Sequence, residues 1–112
     1  MKPSEIESWA HSVMDRVERK DPIEDARVEV KAVWIDAQPM ARRLAGHANA
    51  ARGERILWLI GVDEKAGTVP GAEKKDAAEW WPRVQARFDG IAPRLTDLAV
   101  PHREVTVMAL LF

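Results

Sequence analysis

The sequence contains no cysteine among its 112 residues. This absence excludes a disulfide framework, a thiolate nucleophile and a zinc site built on sulfur, although histidine and carboxylate ligands remain available. The sequence also has no apolar stretch of the kind that forms a signal peptide or a membrane span, and no Gly-x-x-x-x-Gly-Lys-Ser/Thr phosphate loop. We therefore expect a cytoplasmic protein that contacts no membrane and binds no nucleotide cofactor.

A surplus of one charge sign is missing as well. The formal net charge is -1 and the pI is about 6.3, so the chain as a whole does not attract polyanions. Any nucleic-acid binding must therefore come from a local patch. Hydrophobic residues make up 46% and charged residues 31% of the chain, which is the balance of an ordered globular protein. The length predicts one domain, residues 1–112.

Two amphipathic helices are predicted in the first half of the chain. Ser4 and Glu7 have the spacing of a capping box, so a helix should begin there. Apolar residues at three- and four-residue intervals carry it to about Lys20. Pro39 suits the first turn of a second helix, because the N–H that proline lacks would have no partner there. This second helix should run to about Ala51, with small residues on its inner face.

Glycine and proline mark where the regular segments end. Gly53 is well placed to stop the second helix. A third helical stretch covers Ala72–Phe88, and Pro82 should break it near Trp80. Residues 90–101 carry one glycine and two prolines, and should form a loop-rich stretch.

Runs of β-branched and apolar residues predict the strands. Val28–Ile35 alternates at its start, and Ile56–Val62 is apolar on both faces, as expected for a central strand covered on both sides. Thr68–Val69 should return as the second strand of a hairpin. Val105–Phe112 should form the final strand, and its apolar end favours a domain that continues into a longer protein or pairs with another chain.

The tryptophans and histidines are expected to pack rather than to bind. Trp9 falls on the apolar stripe of the first helix, and Trp34 and Trp58 lie on strand faces that must be covered. His47 falls on the inner stripe of the second helix, whereas the other two histidines stand alone in the sequence.

The order of these elements, and the residues within them, resembles the Schlafen AlbA-like domain over roughly Pro22–Gly71. In that family an acid-rich turn leads into a strand with Glu-x-Lys, a helix ends in Ala-Asn before glycine, and an apolar strand reaches a Gly-Val-Asp turn. The matching residues here are Glu24, Glu29, Lys31, Asn49, Gly53, Gly61, Val62 and Asp63. Two departures are visible: Arg52 stands where the first glycine of a pair is expected, and Asp25 adds an acid to the first turn.

The resemblance implies an α+β fold with a single mixed, mostly antiparallel sheet packed with three to four helices. It also implies a nucleic-acid-related role, which in some members is that of a metal-dependent endoribonuclease. The three carboxylates that match are Glu24, Glu29 and Asp63, and Mg²⁺ or Mn²⁺ prefers such oxygen ligands. Lys31 would either steady a phosphate or pair with Glu29.

Strand direction decides whether this acid cluster can form. A helix between two strands usually makes them parallel. Glu29, early in its strand, and Asp63, at the end of the next, would then lie at opposite ends of the sheet. The cluster therefore requires an antiparallel arrangement.

A second candidate site is basic. Between Ala41 and Arg55 there are four arginines and one acid, Glu54, which gives a local charge of +3. Arginine forks match phosphate oxygens, and this segregation favours contact with nucleic acid. The residues expected to make that contact are Arg42, Arg43, Asn49, Arg52 and Lys65. The alternative is a solvated helix face with ordinary ion pairs.

Three functions stay open from the sequence. The first is a nucleic-acid-binding domain, for RNA or DNA, of a bacterial regulatory or defence protein. The second is a metal-dependent endoribonuclease that uses the three carboxylates with Mg²⁺ or Mn²⁺. The third is a protein-interaction or oligomerisation module, such as a homodimer, that uses the apolar final strand and the Trp80–Trp81 region.

Overall fold

The computed structural model describes residues 1–75 and 77–112. Its elements, in chain order, are α1 (Pro3–Glu18), β1 (Val28–Lys31), α2 (Ala37–Ala51), β2 (Leu57–Ile60), α3 (Ala77–Gln85), β3 (Thr96–His102) and β4 (Val105–Leu111). One sheet and three helices make an α+β fold, as predicted. No helix in the described ranges is long and apolar enough to cross a membrane.

The sheet has the strand order β1-β2-β4-β3. β1 and β2 are parallel, with Glu29 opposite Trp58 and Lys31 opposite Ile60. β4 runs antiparallel to both of its neighbours, β2 and β3. The prediction of a mixed, mostly antiparallel sheet is therefore confirmed.

Helices cover both faces of this sheet. Alternate side chains of β2 point to opposite faces, so Leu57 and Leu59 pack under α1, whereas Trp58 and Ile60 pack under α2 and α3. All four residues of β2 are buried. The continuous apolar run in the sequence thus predicted a central strand correctly.

The first helix begins earlier than its predicted capping box. Pro3 occupies the first helical position, and the carboxylate of Glu5 accepts a hydrogen bond from the backbone N–H of Lys2 at 3.0 Å. The pairing of Ser4 with Glu7 as the helix start was therefore wrong. Pro3 sets the start of the helix, because the fixed φ of proline suits the first turn and its missing N–H would have no partner there.

The second helix has the predicted length but a different stop. Arg52, not Gly53, takes the first left-handed position after the helix, with φ 52° and ψ 49°. Gly53 follows with φ 85°. The Cβ of an arginine disfavours this conformation, and helices commonly end on a left-handed glycine. The prediction therefore placed the end of the helix at Gly53, one residue too late.

The third helix spans Ala77–Gln85 and contains Pro82 without a break at Trp80. It is shorter than predicted, and both tryptophans in it are buried. The indole N–H of Trp80 donates to the backbone oxygen of Ile35 at 3.1 Å. This bond ties α3 to the segment that leads from β1 into α2.

A strand stands where a loop was predicted. β3 occupies an edge of the sheet, and Pro101 lies opposite Thr106 of β4. An edge strand tolerates proline because one side of its backbone faces solvent, so the missing N–H leaves no gap in the sheet. The two prolines of residues 90–101 therefore misled the prediction.

The predicted hairpin after β2 is reduced to a turn. Asp63 and Thr68 form an isolated antiparallel bridge, and Thr68–Val69 does not form a strand. The chain then returns close to β2, because the backbone N–H of Gly71 donates to the oxygen of Gly61 at 3.0 Å. Val28–Ile35 is also shortened, since β1 ends at Lys31.

Candidate nucleic-acid interface

The outer face of α2 carries the predicted basic residues. Arg42, Arg43 and Asn49 are exposed, whereas Met40 and Leu44 are fully buried on the inner face. Arg42 and Asn49 are seven residues apart and therefore lie near each other around the helix axis. The helix contains no acidic residue. Its solvent face therefore carries two positive charges and no negative charge.

Two more arginines follow the end of the helix in the chain. Arg52 follows Ala51 directly, and Arg55 lies in the turn that leads to β2. Both side chains are exposed. We call Arg42, Arg43, Asn49, Arg52 and Arg55 the α2 basic surface.

The arginines of this surface have no acidic partner. None of the four forms an ion pair with an acid in residues 1–75 or 77–112. Glu54, the one acid in the segment, instead lies 4.0 Å from Arg27. Within the described residues, this helix face is therefore solvated and has no ion pairs, so only the ion-pair part of the alternative is absent.

Some other arginines of the protein are paired. Arg19 lies 3.3 Å from Asp21, and Arg103 lies 3.4 Å from Glu18. Arg83, Arg87 and Arg94 resemble the α2 basic surface instead, since they form no ion pair among the described residues. An unpaired guanidinium keeps all five of its donors available for a phosphate.

Lys65 does not belong to the α2 basic surface. It lies in the turn after β2, next to Gly67, and that glycine packs against Lys20 and the backbone oxygen of Val17 in α1. α1 covers the opposite face of the sheet from α2. The predicted binding set is thus split between two layers.

The structure does not bring the three predicted carboxylates together. Because β1 and β2 are parallel, Glu29 lies beside Trp58, and Asp63 follows five residues later. Five residues of extended chain span about 16 Å. No group of three acidic or histidine side chains in the described ranges is close enough to hold a metal ion.

Each of these acids has a local setting of its own. Glu29 pairs with Lys31 at 3.7 Å, as one of the two roles expected for that lysine. The carboxylate of Asp63 accepts a hydrogen bond from the backbone N–H of Ala66 at 3.0 Å, which is a turn contact. Glu24 is exposed and lines a cavity beside α1.

Trp9 takes part in a cluster that sequence reasoning missed. Its ring packs on the core on one side, and the guanidinium of Arg27 lies over it at 5.1 Å from the centroid. The same guanidinium donates two hydrogen bonds of 3.0 Å to the carboxylate of Asp25. These bonds lower the pKa of Asp25, and the carboxylate in turn raises the pKa of Arg27.

His47 is a packed histidine, as expected. Its Nδ1 accepts a hydrogen bond from the buried indole N–H of Trp58 at 2.9 Å. Its Nε2 lies 2.8 Å from the backbone oxygen of Ala26. Because both contacts are filled by the protein, His47 is neither a free base nor a ligand of the α2 basic surface.

The histidine at the β3–β4 turn is not isolated. His102 is 9% exposed, and its Nε2 lies 3.0 Å from a carboxylate oxygen of Glu18 at the end of α1. Its ring lies 5.8 Å from that of His11. The contact between His102 and Glu18 connects the β3–β4 hairpin to α1. It was not predicted because its two residues are 84 positions apart in the sequence.

No family model, no curated protein and no solved structure matches this chain. The resemblance to the Schlafen AlbA-like domain therefore depends on the residues quoted for it, and it stays a prediction.

Proposed function

We propose that this chain is a nucleic-acid-binding domain that contacts the phosphates of RNA or DNA through the α2 basic surface. The observation that carries the proposal is the set of four exposed arginines without an acidic partner among the described residues. Arginine is suited to this contact because its planar fork matches two phosphate oxygens at once.

The packing of α2 supports this role. The inner face holds Met40 and Leu44 against the sheet, so the helix is fixed and its outer side chains are presented from a rigid element. Asn49 adds an uncharged donor and acceptor beside Arg42. Contacts of this kind position a polymer and carry no sequence preference.

The overall charge sets the expected strength of binding. Because the net charge is -1, attraction must come from a local positive surface, and affinity should fall steeply as salt rises. Each phosphate contact that is lost should lower the slope of log affinity against log salt by about 0.9 on duplex and about 0.7 on single strands.

The experiment is a titration of labelled RNA and DNA, followed by fluorescence anisotropy at several salt concentrations. The Arg42→Gln/Arg43→Gln double variant should bind at least about tenfold more weakly, with a shallower salt slope. Arg19→Gln is the control, because Arg19 is also exposed but lies at the end of α1 and is paired with Asp21. Absence of wild-type binding to both polymers at low salt would contradict the proposal.

The endoribonuclease hypothesis stays a prediction that needs a rearrangement of Glu24, Glu29 and Asp63. It is tested by Mn²⁺-dependent cleavage of a tRNA mixture, which a Glu29→Gln variant should lose.

The interaction-module hypothesis also stays a prediction. Size-exclusion chromatography with light scattering tests it, and a monomer at all concentrations would count against it.

A further inference from the structure

A groove separates α2 from the end of α3. Its volume is about 580 Å³, and three alanines line it, Ala41 and Ala45 from α2 and Ala86 from beyond α3. Alanine side chains leave the groove open, because none of them reaches across it. The groove borders the α2 basic surface, since Arg42 lines it as well.

The opposite wall carries a second arginine. Arg87 lines the groove from the turn after α3, and its backbone N–H donates to the oxygen of Val84 at 3.0 Å. The neighbouring N–H of Ala86 donates to the oxygen of Pro82 at 3.0 Å, so this wall continues the hydrogen bonding of the helix. Arg87 is therefore held on a regular turn rather than on a free loop.

The charges of the groove favour an anion. Neither Arg42 nor Arg87 forms an ion pair with an acid in the two described ranges. Asp89 is the one acid among the described residues that line the groove, so two cations and one anion leave a local charge of +1. Both of these arginines line the same groove, so an anion bound there would be attracted by both guanidinium groups.

We propose that this groove holds a single-stranded segment of nucleic acid, with Arg42 and Arg87 contacting its phosphates from opposite walls. The inference rests on the function proposed above, and adds to it a new residue and a class of substrate. A flexible single strand can follow a narrow positive groove, whereas a duplex presents its phosphates on a rigid convex surface that rests on the rim.

The first experiment separates strand types and arginines. Labelled oligonucleotides of about 12 nucleotides, a length within the usual single-strand site sizes, are titrated as single strands and as duplex. Wild type should bind the single strands more tightly. Arg87→Gln should weaken that binding about fivefold and lower the salt slope by about 0.7. Arg83→Gln is the matched control, because Arg83 is exposed on α3 but does not line the groove.

The second experiment fills the groove without changing its charge. Ala86 is exposed, so Ala86→Leu should fold normally and yet block the strand, lowering single-strand affinity by about the same factor as the loss of Arg87. Ala78→Leu adds the same bulk to an exposed position of α3 outside the groove and should leave affinity unchanged. Circular dichroism confirms that both variants are folded.

The outcomes distinguish this inference from the proposed function. If Arg87→Gln binds single strands as wild type does while the Arg42→Gln/Arg43→Gln variant is weakened, the groove is overturned and the α2 basic surface stands. Equal wild-type affinity for duplex and single strand also overturns the groove. Tighter binding of an acidic peptide of similar length would make it a peptide site. If the wild type binds neither single strands nor duplex, both proposals are overturned.

Discussion

The indole N–H of Trp58, a residue 1% exposed, donates a hydrogen bond to Nδ1 of His47 across 2.9 Å. An indole nitrogen can only donate, so Nδ1 must accept, and the ring proton of a neutral His47 sits on Nε2. That proton points to the backbone oxygen of Ala26 at 2.8 Å. One side chain thus satisfies a buried donor of β2 and fixes the approach to β1.

Removal of this acceptor should destabilise the protein. His47→Ala leaves the buried indole N–H of Trp58 without a partner, and should lower the free energy of unfolding by about 1 to 3 kcal/mol. His47→Gln, which keeps a side-chain acceptor, should lose less. Urea unfolding followed by tryptophan fluorescence measures both. Equal losses for the two variants would mean that packing, and not the hydrogen bond, is what His47 supplies.

Replacement of Arg52 should change stability and binding in opposite directions. Its left-handed backbone disfavours any residue with a Cβ, so Arg52→Gly should raise the free energy of unfolding by about 0.5 to 1 kcal/mol. The same variant loses a guanidinium and should bind nucleic acid more weakly. Arg52→Ala is the control, because it removes the charge but keeps the Cβ. An equal gain in stability for both variants would contradict the backbone argument.

The Asp25–Arg27 pair should make part of the stability depend on pH. The pKa of Asp25 lies below its usual value of 3.8, chiefly because Arg27 donates hydrogen bonds to the carboxylate. A lowered folded-state pKa contributes stability that is present above the unfolded pKa and is lost as the pH falls through the folded value. This contribution is therefore complete at pH 7, begins to fall as the pH approaches the unfolded value of about 4, and is lost as the pH passes through the lower folded pKa.

Asp25→Asn tests this dependence. At pH 7 it should lower the free energy of unfolding by about 0.5 to 1 kcal/mol, since solvent screens a pair that is partly exposed. In urea titrations the difference between the wild type and the variant should shrink as the pH is lowered below about 4, and it should vanish below the folded pKa of Asp25. Asp21→Asn, which breaks the single contact with Arg19, should have a smaller effect. A difference between wild type and Asp25→Asn that persists unchanged in acid would refute the assignment.

Two glycines should respond in opposite ways to a methyl group. Gly61 has φ 103°, and a Cβ there would collide with the backbone of Gly71 and Ala72. Gly61→Ala should therefore lower the free energy of unfolding by about 3 kcal/mol or more. Gly46 lies in α2 with open space around it, so Gly46→Ala should raise the free energy of unfolding by about 0.5 to 1 kcal/mol. Thermal unfolding of the two variants checks both signs.

The sequence predicted the elements whose signal is local. Ile56–Val62 is apolar at nearly every position, and β2 lies within it; the final strand and α2 also follow their own periodicity. β1 ended early because Trp34 leaves the sheet to pack on Trp80, with 5.0 Å between the ring centroids. That contact joins residues 46 positions apart, which no local pattern reveals.

Prediction of the candidate site followed the same division. The positive face of α2 could be read directly, since Arg42, Arg43 and Asn49 all lie on one helix. The acid cluster could not, because it depended on the direction of β1 relative to β2, and the parallel pairing separates Glu29 from Asp63. The stack of Arg27 on Trp9 was missed because it joins the residue directly before β1 to a residue of α1, which are far apart in the sequence.

The position of β4 also decides when the domain can fold. β4 lies between β2 and β3 although it follows both in the sequence, and β3 pairs with no other strand. A nascent chain that has released β1, β2 and β3 therefore cannot yet join them into one sheet. Until Val105–Leu111 emerges, the apolar edge of β2 stays unpaired and open to chaperones, so the domain completes its sheet only after every other strand has been synthesised.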